Sequence, residues 1–218
     1  MDFVLVLDES GSMKKPPPDG SMEGPGGLKA FAKQLVSQYS LGVDVVRFSV
    51  VSFATDATTR VGWSYNATEI HAGIDQMSAD GQTSISDGFE AARQLFADNS
   101  RVGATKVVLL VSDGEQTVDA APGKTLLETA VDAAALVKGD GATVFAWGFG
   151  KNVSKATLQQ IANDDSSNEM RGFAVSSGLV TGKASVILNA TDFDKMEPGT
   201  ILVSPLTTPA WTQLFAHA

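Results

Sequence analysis

The amino-acid sequence predicts an α/β protein with a doubly wound, mostly parallel sheet and helices on both of its faces. Two observations carry this prediction. Short, continuous apolar runs recur along the chain, and such runs are typical of strands that are buried on both sides. Segments with apolar residues at helical spacing separate these runs, and the alternation of strands with helices is typical of a parallel sheet.

The first elements follow from local sequence patterns. Val4 to Leu7 is a continuous apolar run and predicts a buried parallel strand. Residues 14–27 are rich in proline and glycine, which break helices and strands, so they predict a loop. Leu28 begins a stretch of apolar residues at helical spacing and predicts the first helix. Val43 to Ala54 alternates and is β-branched, predicting a strand, and Thr58 to Trp63 predicts a short edge strand after a hairpin.

The same alternation continues through the middle of the chain. Ser154 is expected to cap a short helix that runs through Leu158 and Ile161, because a serine side chain can bind free amides at a helix start. The remaining predicted elements are helices at Ala67 to Met77, Ser86 to Ala97 and Leu126 to Val137, and strands at Lys106 to Val111 and Ala142 to Gly148.

The pattern changes after residue 165. A polar stretch at 163–168 breaks the alternation, and only short β-like pieces follow, at Ala184 to Leu188 and Thr200 to Val203, with a turn at 197–199. We therefore expect a first domain over residues 1–165, a linker over 166–171 and a small, β-rich, incomplete C-terminal segment over 172–218.

Composition excludes several classes of function. The net charge of the 218 residues is −9, which argues against binding to nucleic acids or anionic membranes. No apolar run is long enough to span a membrane. The chain has no cysteine, so disulfides, thiolate metal sites and cysteine nucleophiles are excluded. With no signal peptide and no cysteine, a cytoplasmic location is favoured. Met1 runs almost directly into the first strand, so an N-terminal truncation also stays open.

Five oxygen-bearing side chains are candidate metal ligands. Asp8, Ser10 and Ser12 follow the first strand, Thr83 precedes a helix, and Asp113 follows the strand at Lys106 to Val111. Ligands bind such sheets at the carboxyl ends of the strands, so we expect these groups to converge there. Hard oxygen ligands suit Mg²⁺, with Mn²⁺ or Ca²⁺ as alternatives. Two carboxylates leave the cation under-neutralised, so an external carboxylate could complete its coordination shell.

Other polar residues near these segments receive a different interpretation. We expect Glu9 to be a solvated side chain and Glu115 to lie at the rim of the site without binding the metal. Asp87 and Asp119 are interpreted as a helix-start acid and a loop acid. His71 lies on a helix, with no second histidine spaced to join it in a metal site, and we expect it to be a surface or half-buried residue.

The three segments together resemble the metal-ion-dependent adhesion site of the von Willebrand factor type A (VWA) domain. That pattern has Asp-x-Ser-x-Ser after the first strand, a threonine before a central helix and Asp-Gly after the fourth strand. The resemblance covers roughly residues 1–165 and implies a Rossmann-like fold. It also implies that Mg²⁺, held by the five residues, presents an open coordination position to an Asp or Glu of a partner protein.

The tail resembles a second family, the phosphohistidine swivelling domain of PEP-utilising enzymes such as pyruvate phosphate dikinase and phosphoenolpyruvate synthase. The similarity lies in Val175 to Ala184, Pro198 to Val203 and Thr208 to Thr212, and it covers the first half of that domain. In that family the phosphorylated histidine lies further downstream, in a Gly-Gly-x-x-Ser-His segment that this chain does not contain. The alternative hypothesis is therefore a fragment of a phosphotransfer protein that lacks its catalytic histidine.

We expect the chain as given to have no catalytic activity. It has no phosphate-accepting histidine, since His217 lacks the required context, and Gly148-Phe149-Gly150 is a strand-ending turn, not a phosphate loop. With only His71 and His217 available, a Ser-His-Asp triad has no support. A Gly-Gly-x-x-Ser-His segment encoded beyond Ala218 would favour the phosphotransfer hypothesis over the binding module.

Overall fold

The computed structural model describes residues 1–14, 22–149, 153–162, 184–186, 199 and 201–203. The chain divides into two compact units, Met1–Glu169 and Met170–Ala218. The strands described in the first unit are β1 (Asp2–Asp8), β2 (Arg47–Phe53), β3 (Ala57–Ser64), β4 (Lys106–Ser112) and β5 (Ala142–Gly148). Its helices are α1 (Leu28–Ser37), α2 (Ala67–Asp75), α3 (Ile85–Asn99), α4 (Leu126–Gly139) and α5 (Lys155–Ile161), and a 3₁₀ turn covers Gly11–Lys14.

The five strands form one sheet in the order β3-β2-β1-β4-β5. β1 runs parallel to both β2 and β4, β4 runs parallel to β5, and only the edge strand β3 is antiparallel to its neighbour. The sheet is therefore mostly parallel, as the sequence predicts. Asp8 lies opposite Phe53 of β2, and Leu7 lies opposite Val111 of β4, so three carboxyl ends meet at one edge.

Helices cover both faces of this sheet. On one face, α1 and α2 pack on alternate residues of β1 such as Leu5 and Leu7. On the other face, α3 packs on β1, where Val4 and Val6 face it, and α4 and α5 pack on β5 in the same core cluster. Every residue of β1 is buried, and each fully buried Leu or Val contributes about 1.5–3 kcal/mol relative to exposure. The doubly wound prediction is confirmed.

A glycine lets α3 lie close to the middle of the sheet. A Cβ added at Gly88 would come within 2.8 Å of Val6 Cγ1 and 3.1 Å of Phe53 Cδ1, closer than packed atoms tolerate. A larger residue here would push α3 outward, and with it the preceding loop at the carboxyl edge.

The predicted start of the second strand was wrong. β2 begins at Arg47, whereas Val43 and Val45 are 62% and 51% exposed in a turn closed by the Gly42 amide donating to the Val46 carbonyl at 3.0 Å. β-branched composition is only a weak preference, and this turn overrides it. At α5, Ser154 is the N-cap residue, as predicted. Its hydroxyl pairs with Thr157 Oγ1 at 2.9 Å and makes no capping bond to the backbone.

The described part of the second unit is a pair of parallel strands, β6 (Ala184–Val186) and β7 (Ile201–Val203). Both lie in the predicted β-like pieces, and Gly199, in the predicted turn, has a φ of +73°. The whole predicted linker and the rest of the predicted tail, including His217, lie outside the described residues. In the part of the chain that the structure describes, no helix is long and apolar enough to cross a membrane.

Candidate metal centre

The loop after β1 curls so that its polar groups face one point. Asp8 is fully buried, and its carboxylate accepts a hydrogen bond from the Ser10 amide at 2.8 Å. This bond turns the chain back on itself, and the 3₁₀ turn that follows carries Ser12, with Met13 anchored in the core. A Cβ at Gly11 would lie 3.1 Å from the Gly81 carbonyl. Glycine at this position therefore lets two loops approach closely, and a Cβ would force a tight contact between them.

Hydroxyl groups join this loop to the end of β4. Ser10 Oγ and Ser12 Oγ share a hydrogen bond of 2.9 Å, and Ser12 Oγ donates to Asp113 Oδ1 at 2.7 Å. The residue before Asp113 also contacts Asp8, because Ser112 Oγ donates to Asp8 Oδ2 at 2.5 Å. The two carboxylates are 105 positions apart in the chain, and hydrogen bonds through Ser10 and Ser12 link them.

Thr83 reaches the same place from the loop before α3. Its amide donates to Thr117 Oγ1 at 2.9 Å, and the Thr117 amide donates back to the Thr83 carbonyl at 2.8 Å. The next amide, that of Ser84, donates to the Ala54 carbonyl after β2 at 2.7 Å. Thr83 is therefore fixed between the loop that follows Asp113 and the end of β2.

The predicted ligands surround a small opening at the carboxyl edge of the sheet. A cavity of about 390 Å³ lies here. Its lining includes four of the predicted ligands, Ser10, Ser12, Thr83 and Asp113. Asp8 is joined to this group through Ser10 and Ser112. Glu115 is exposed and lines the opening, at the rim where it was expected.

The electrostatics of the site favour an added positive charge. Burial raises the pKa of Asp8, hydrogen bonds from Ser112 and Ser10 oppose that rise, and the nearby Asp113 adds to it. Among the described residues, no lysine, arginine or histidine forms an ion pair with Asp8 or Asp113. A buried carboxylate without a positive partner is costly, and a cation would remove that cost.

The donor chemistry fits a hard cation. Two carboxylates and three hydroxyls supply only oxygen, which suits Mg²⁺, Mn²⁺ or Ca²⁺. Across the described ranges, no group of three or more His, Cys, Asp or Glu side chains could hold a metal ion. A metal site at this edge therefore depends on the hydroxyls as well as on the carboxylates.

The expectation for Glu9 was wrong. The residue is only 6% exposed. Its carboxylate accepts hydrogen bonds from Ser52 Oγ at 2.8 Å, Arg60 Nη2 at 2.6 Å and the Ser78 amide at 3.0 Å. The curl after Asp8 aims this side chain away from the cavity and into the space beside β2 and β3. Arg60 lies 51 positions away from Glu9 in the chain, so no local sequence pattern predicts this ion pair.

Two other expectations concern acids and a histidine near this region. Burial raises the pKa of Asp87 in the first turn of α3, a hydrogen bond from Ser84 opposes the rise, and Asp119 and Asp56 add to it. Asp119 has a φ of +62°, which is uncommon outside glycine. His71 is half-buried on α2, as expected, and its Nε2 has no hydrogen-bond partner among the described residues.

Residues 2–182 match the von Willebrand factor type A domain family, a stretch that extends past the boundary expected at residue 165. The chain is similar to the solved structure of proximal thread matrix protein 1 from the mussel byssus with a zinc-occupied MIDAS motif. Identity is 29%, the TM-score is 0.59, and the match covers 74% of this chain and 38% of that one. The manganese-loaded TRAP protein of Plasmodium vivax matches at 17% identity with a TM-score of 0.58, covering 75% of this chain and 62% of that one.

Curated relatives match this chain over stretches of different length. The collagen alpha-4(VI) chain of Mus musculus is 22% identical over 165 residues, which is 74% of this chain and 6% of that protein. Two Bacillus subtilis proteins match over shorter stretches. The uncharacterized phosphotransferase YvkC is 45% identical over 51 residues, 23% of this chain and 6% of that one. Rifampicin phosphotransferase is 54% identical over 44 residues, 20% of this chain and 5% of that one. The chain thus spans about one-twentieth of the length of these relatives.

Proposed function

The chain belongs to the von Willebrand factor type A domain family, and from that premise we propose that it is a protein-binding module that works through Mg²⁺. The family and a structural neighbour with an occupied metal motif support a metal-dependent adhesion module in general. We further propose which metal binds, which five residues hold it and which chemical group the partner supplies.

The observation that carries the proposal is the environment of Asp8. This carboxylate is fully buried and lies at the end of the central strand. Among the described residues its hydrogen bonds come from neutral groups, the Ser10 amide and the Ser112 hydroxyl. A buried negative charge supported only by neutral donors is stable when a cation completes its surroundings.

Each residue has a distinct part in the proposed site. Asp8, Ser10, Ser12, Thr83 and Asp113 would hold Mg²⁺, which supplies an acidic position for an Asp or Glu oxygen of a partner protein. Asp8 and Asp113 provide the negative charge. The Ser12 hydroxyl donates to Asp113, and its oxygen keeps lone pairs that can face a cation.

Metal binding is tested by calorimetric titration of the full chain with Mg²⁺. We expect saturable binding for the wild type and no measurable heat for Asp8→Asn, which keeps the shape of the side chain and removes its charge. Circular dichroism shows whether each variant is folded. Equal affinity in a folded Asp8→Asn variant would place the metal elsewhere, and no binding to a folded wild type would remove the proposal.

The partner chemistry is tested with a carboxylate probe. In the presence of Mn²⁺, we expect the folded wild type to bring acetate close to the metal, which broadens the methyl resonance of acetate in proton NMR. Methylammonium serves as a control of similar size and opposite charge. Broadening that does not depend on Asp8, or that is equal for the two probes, would contradict carboxylate recognition at this site.

The phosphotransferase relatives favour a second candidate function for the tail. Their matches have 45% and 54% identity over 51 and 44 residues, lengths close to that of the segment 172–218. We infer that this segment is part of a phosphohistidine swivelling domain in a longer phosphotransfer protein. Sequencing the coding region beyond Ala218 tests this inference, and a reading frame without a downstream Gly-Gly-x-x-Ser-His segment would reject it.

A further inference from the structure

We propose that Glu9 is a positioning residue of the metal site. Its buried carboxylate, paired with Arg60, holds the loop that carries Thr83 against the strand end that carries Asp8. This inference rests on the metal-binding role proposed for the site. It adds a residue outside the ligand set, and part of its test does not depend on metal at all.

The Glu9 carboxylate joins three separate elements. One oxygen, Oε1, accepts hydrogen bonds from Ser52 Oγ in β2 at 2.8 Å and from Arg60 Nη2 in β3 at 2.6 Å. The other, Oε2, accepts from the backbone amide of Ser78 at 3.0 Å. Ser78 lies between α2 and α3, in the same connection that carries Thr83. Both oxygens are therefore occupied, and neither is directed at the cavity.

Backbone hydrogen bonds extend this contact toward the ligands. The Asp80 amide donates to the Glu9 carbonyl at 2.8 Å, and the Gly11 amide donates to the Gly81 carbonyl at 3.0 Å. Gly81 has a φ of +76°, and a Cβ there would lie 2.7 Å from Thr55 Oγ1. The loop before Thr83 is thus held on both sides, by the segment that contains Glu9 and by Thr55.

The contacts of Arg60 indicate that Glu9 positions the site and is not itself a metal ligand. Its Nη2 bonds to Glu9 and its Nε donates to Ser52 Oγ at 2.7 Å, so the guanidinium closes a ring of three side chains. The arginine offsets the charge of Glu9. The net charge offered to a cation therefore comes from Asp8 and Asp113, and Glu9 acts by fixing the geometry around them.

Asp2 provides a matched control at the other end of β1. It is also a fully buried carboxylate, it pairs with Arg47 at 2.8 Å and with Arg101 at 2.7 Å, and it accepts the Arg101 amide at 2.9 Å. The seven-residue strand places it on the order of 20 Å from the metal site. Asp2→Asn therefore disturbs a buried ion pair of the same kind without touching the loops of the site.

The first measurement is the affinity for Mg²⁺ by calorimetry, beside the melting temperature in EDTA. We expect Glu9→Gln to weaken Mg²⁺ binding about tenfold, the lower end of what loss of a ligand-supporting contact costs. Glu9→Asp keeps the charge but retracts the carboxylate, and we expect it to weaken binding as well. Asp2→Asn should lower the melting temperature and leave the affinity for Mg²⁺ within about twofold of wild type. A change of that size is smaller than the loss expected when a contact that supports a metal ligand is removed.

A charge-balanced variant separates geometry from electrostatics. Glu9→Gln alone leaves the Arg60 charge uncompensated near the site, which also disfavours a cation. Glu9→Gln combined with Arg60→Gln restores the charge balance without the ion pair. If positioning is the cause, the double variant stays about tenfold weak; recovery of wild-type affinity would overturn the proposal, as would a loss in Asp2→Asn equal to that in Glu9→Gln.

Hydrogen exchange in EDTA tests the positioning role without metal. We expect the Ser78 and Asp80 amides to exchange faster in Glu9→Gln than in wild type. In Asp2→Asn we expect these amides to exchange at the wild-type rate once the change in global stability has been subtracted. Failure of the wild type to bind Mg²⁺ would reject the proposed function alone. Unchanged exchange at Ser78 in a folded Glu9→Gln variant would reject the positioning role of Glu9, whatever the outcome for metal.

Discussion

Each end of β1 carries a buried carboxylate, and the surrounding groups differ between the two ends. Asp2 and Asp8 bound one strand and both are fully buried. At the amino end, burial opposes ionisation, but the bonds from Arg47 and Arg101 prevail and lower the pKa of Asp2 to about 2. At the carboxyl end, burial prevails and raises the pKa of Asp8, because only serine groups oppose it.

The difference separates a carboxylate that the chain pairs with its own arginines from the carboxylate that we propose binds a metal. The chain brings its own cations to Asp2, so that end of the sheet is electrostatically complete within the described residues. It brings only neutral donors to Asp8, which leaves a place for a charge from outside. An unpaired buried carboxylate costs stability, and that cost is consistent with a site that a ligand completes.

The largest expected effect is at the amino end of β1. Asp2→Asn leaves Arg47 and Arg101 partly buried without their negative partner, so we expect unfolding free energy to fall by about 3–5 kcal/mol. Urea unfolding in EDTA measures this change. Asp8→Asn is the control, and it should cost much less, because it removes a carboxylate that has no positive partner. Equal losses in the two variants would erase the distinction between the ends.

The next effect is the stabilisation that we expect a bound metal to give at the carboxyl end of β1. A ligand that binds only the native state at about 100 times its dissociation constant stabilises it by about 2.7 kcal/mol. We expect millimolar Mg²⁺ to raise the melting temperature of wild type and of Asp2→Asn, and not that of Asp8→Asn. Thermal melts against EDTA provide the measurement. A rise in Asp8→Asn as large as in wild type would show that the metal acts elsewhere.

Acid should act through Asp2 over a defined pH range. The folded-state pKa of Asp2 is about 2, below the ordinary value of 3.8. Because the folded value is depressed, its stabilisation is complete above about pH 4 and is lost as the pH falls toward 2. The loss is on the order of 2 kcal/mol.

The Asp2→Asn variant isolates that contribution. The stability advantage of wild type over Asp2→Asn should shrink by on the order of 2 kcal/mol as the pH is lowered from about 5 to about 2. Denaturant unfolding of both proteins at each pH measures the difference, and other titrating groups cancel between them. A constant difference across this range would mean that the arginines do not depress the pKa of Asp2.

The smallest effect concerns a neutral ligand. Ser12→Ala removes one hydroxyl and its 2.7 Å bond to Asp113, while both carboxylates remain. We expect Mg²⁺ affinity to fall by about tenfold, equivalent to the roughly 1.4 kcal/mol of a lost polar contact. Calorimetric titration beside Asp8→Asn ranks the two. A loss in Ser12→Ala as complete as in Asp8→Asn would mean that charge is not what distinguishes the ligands.

Local pattern predicted the sheet and the helices because their apolar residues repeat at short range. Val4 to Leu7 identified β1, and the predicted strand before Asp113 is β4, which ends at Ser112. The convergence of Asp8 and Asp113 followed from one topological rule, that parallel strands end at a common edge.

Long-range polar pairing could not be predicted in the same way. Arg60 and Glu9 are separated by 51 positions, and Asp2 and Arg101 by 99. An acid beside the chain start or beyond a strand end is ordinarily solvated. Whether such a group is buried depends on where distant arginines fall, and that is decided by packing that no short pattern records.

The pairing register of β1 and β4 means that the position of Asp8 relative to β4 depends on the length of both strands. Leu7 pairs with Val111, so one step further along each strand brings Asp8 beside Ser112. Inserting or deleting one residue inside either strand would move its end by about 3.3 Å and turn every later side chain to the opposite face. Exchanges among Val, Ile and Leu along β1 should leave the geometry at the edge intact. The chain can therefore vary the composition of its central strands much more freely than their length.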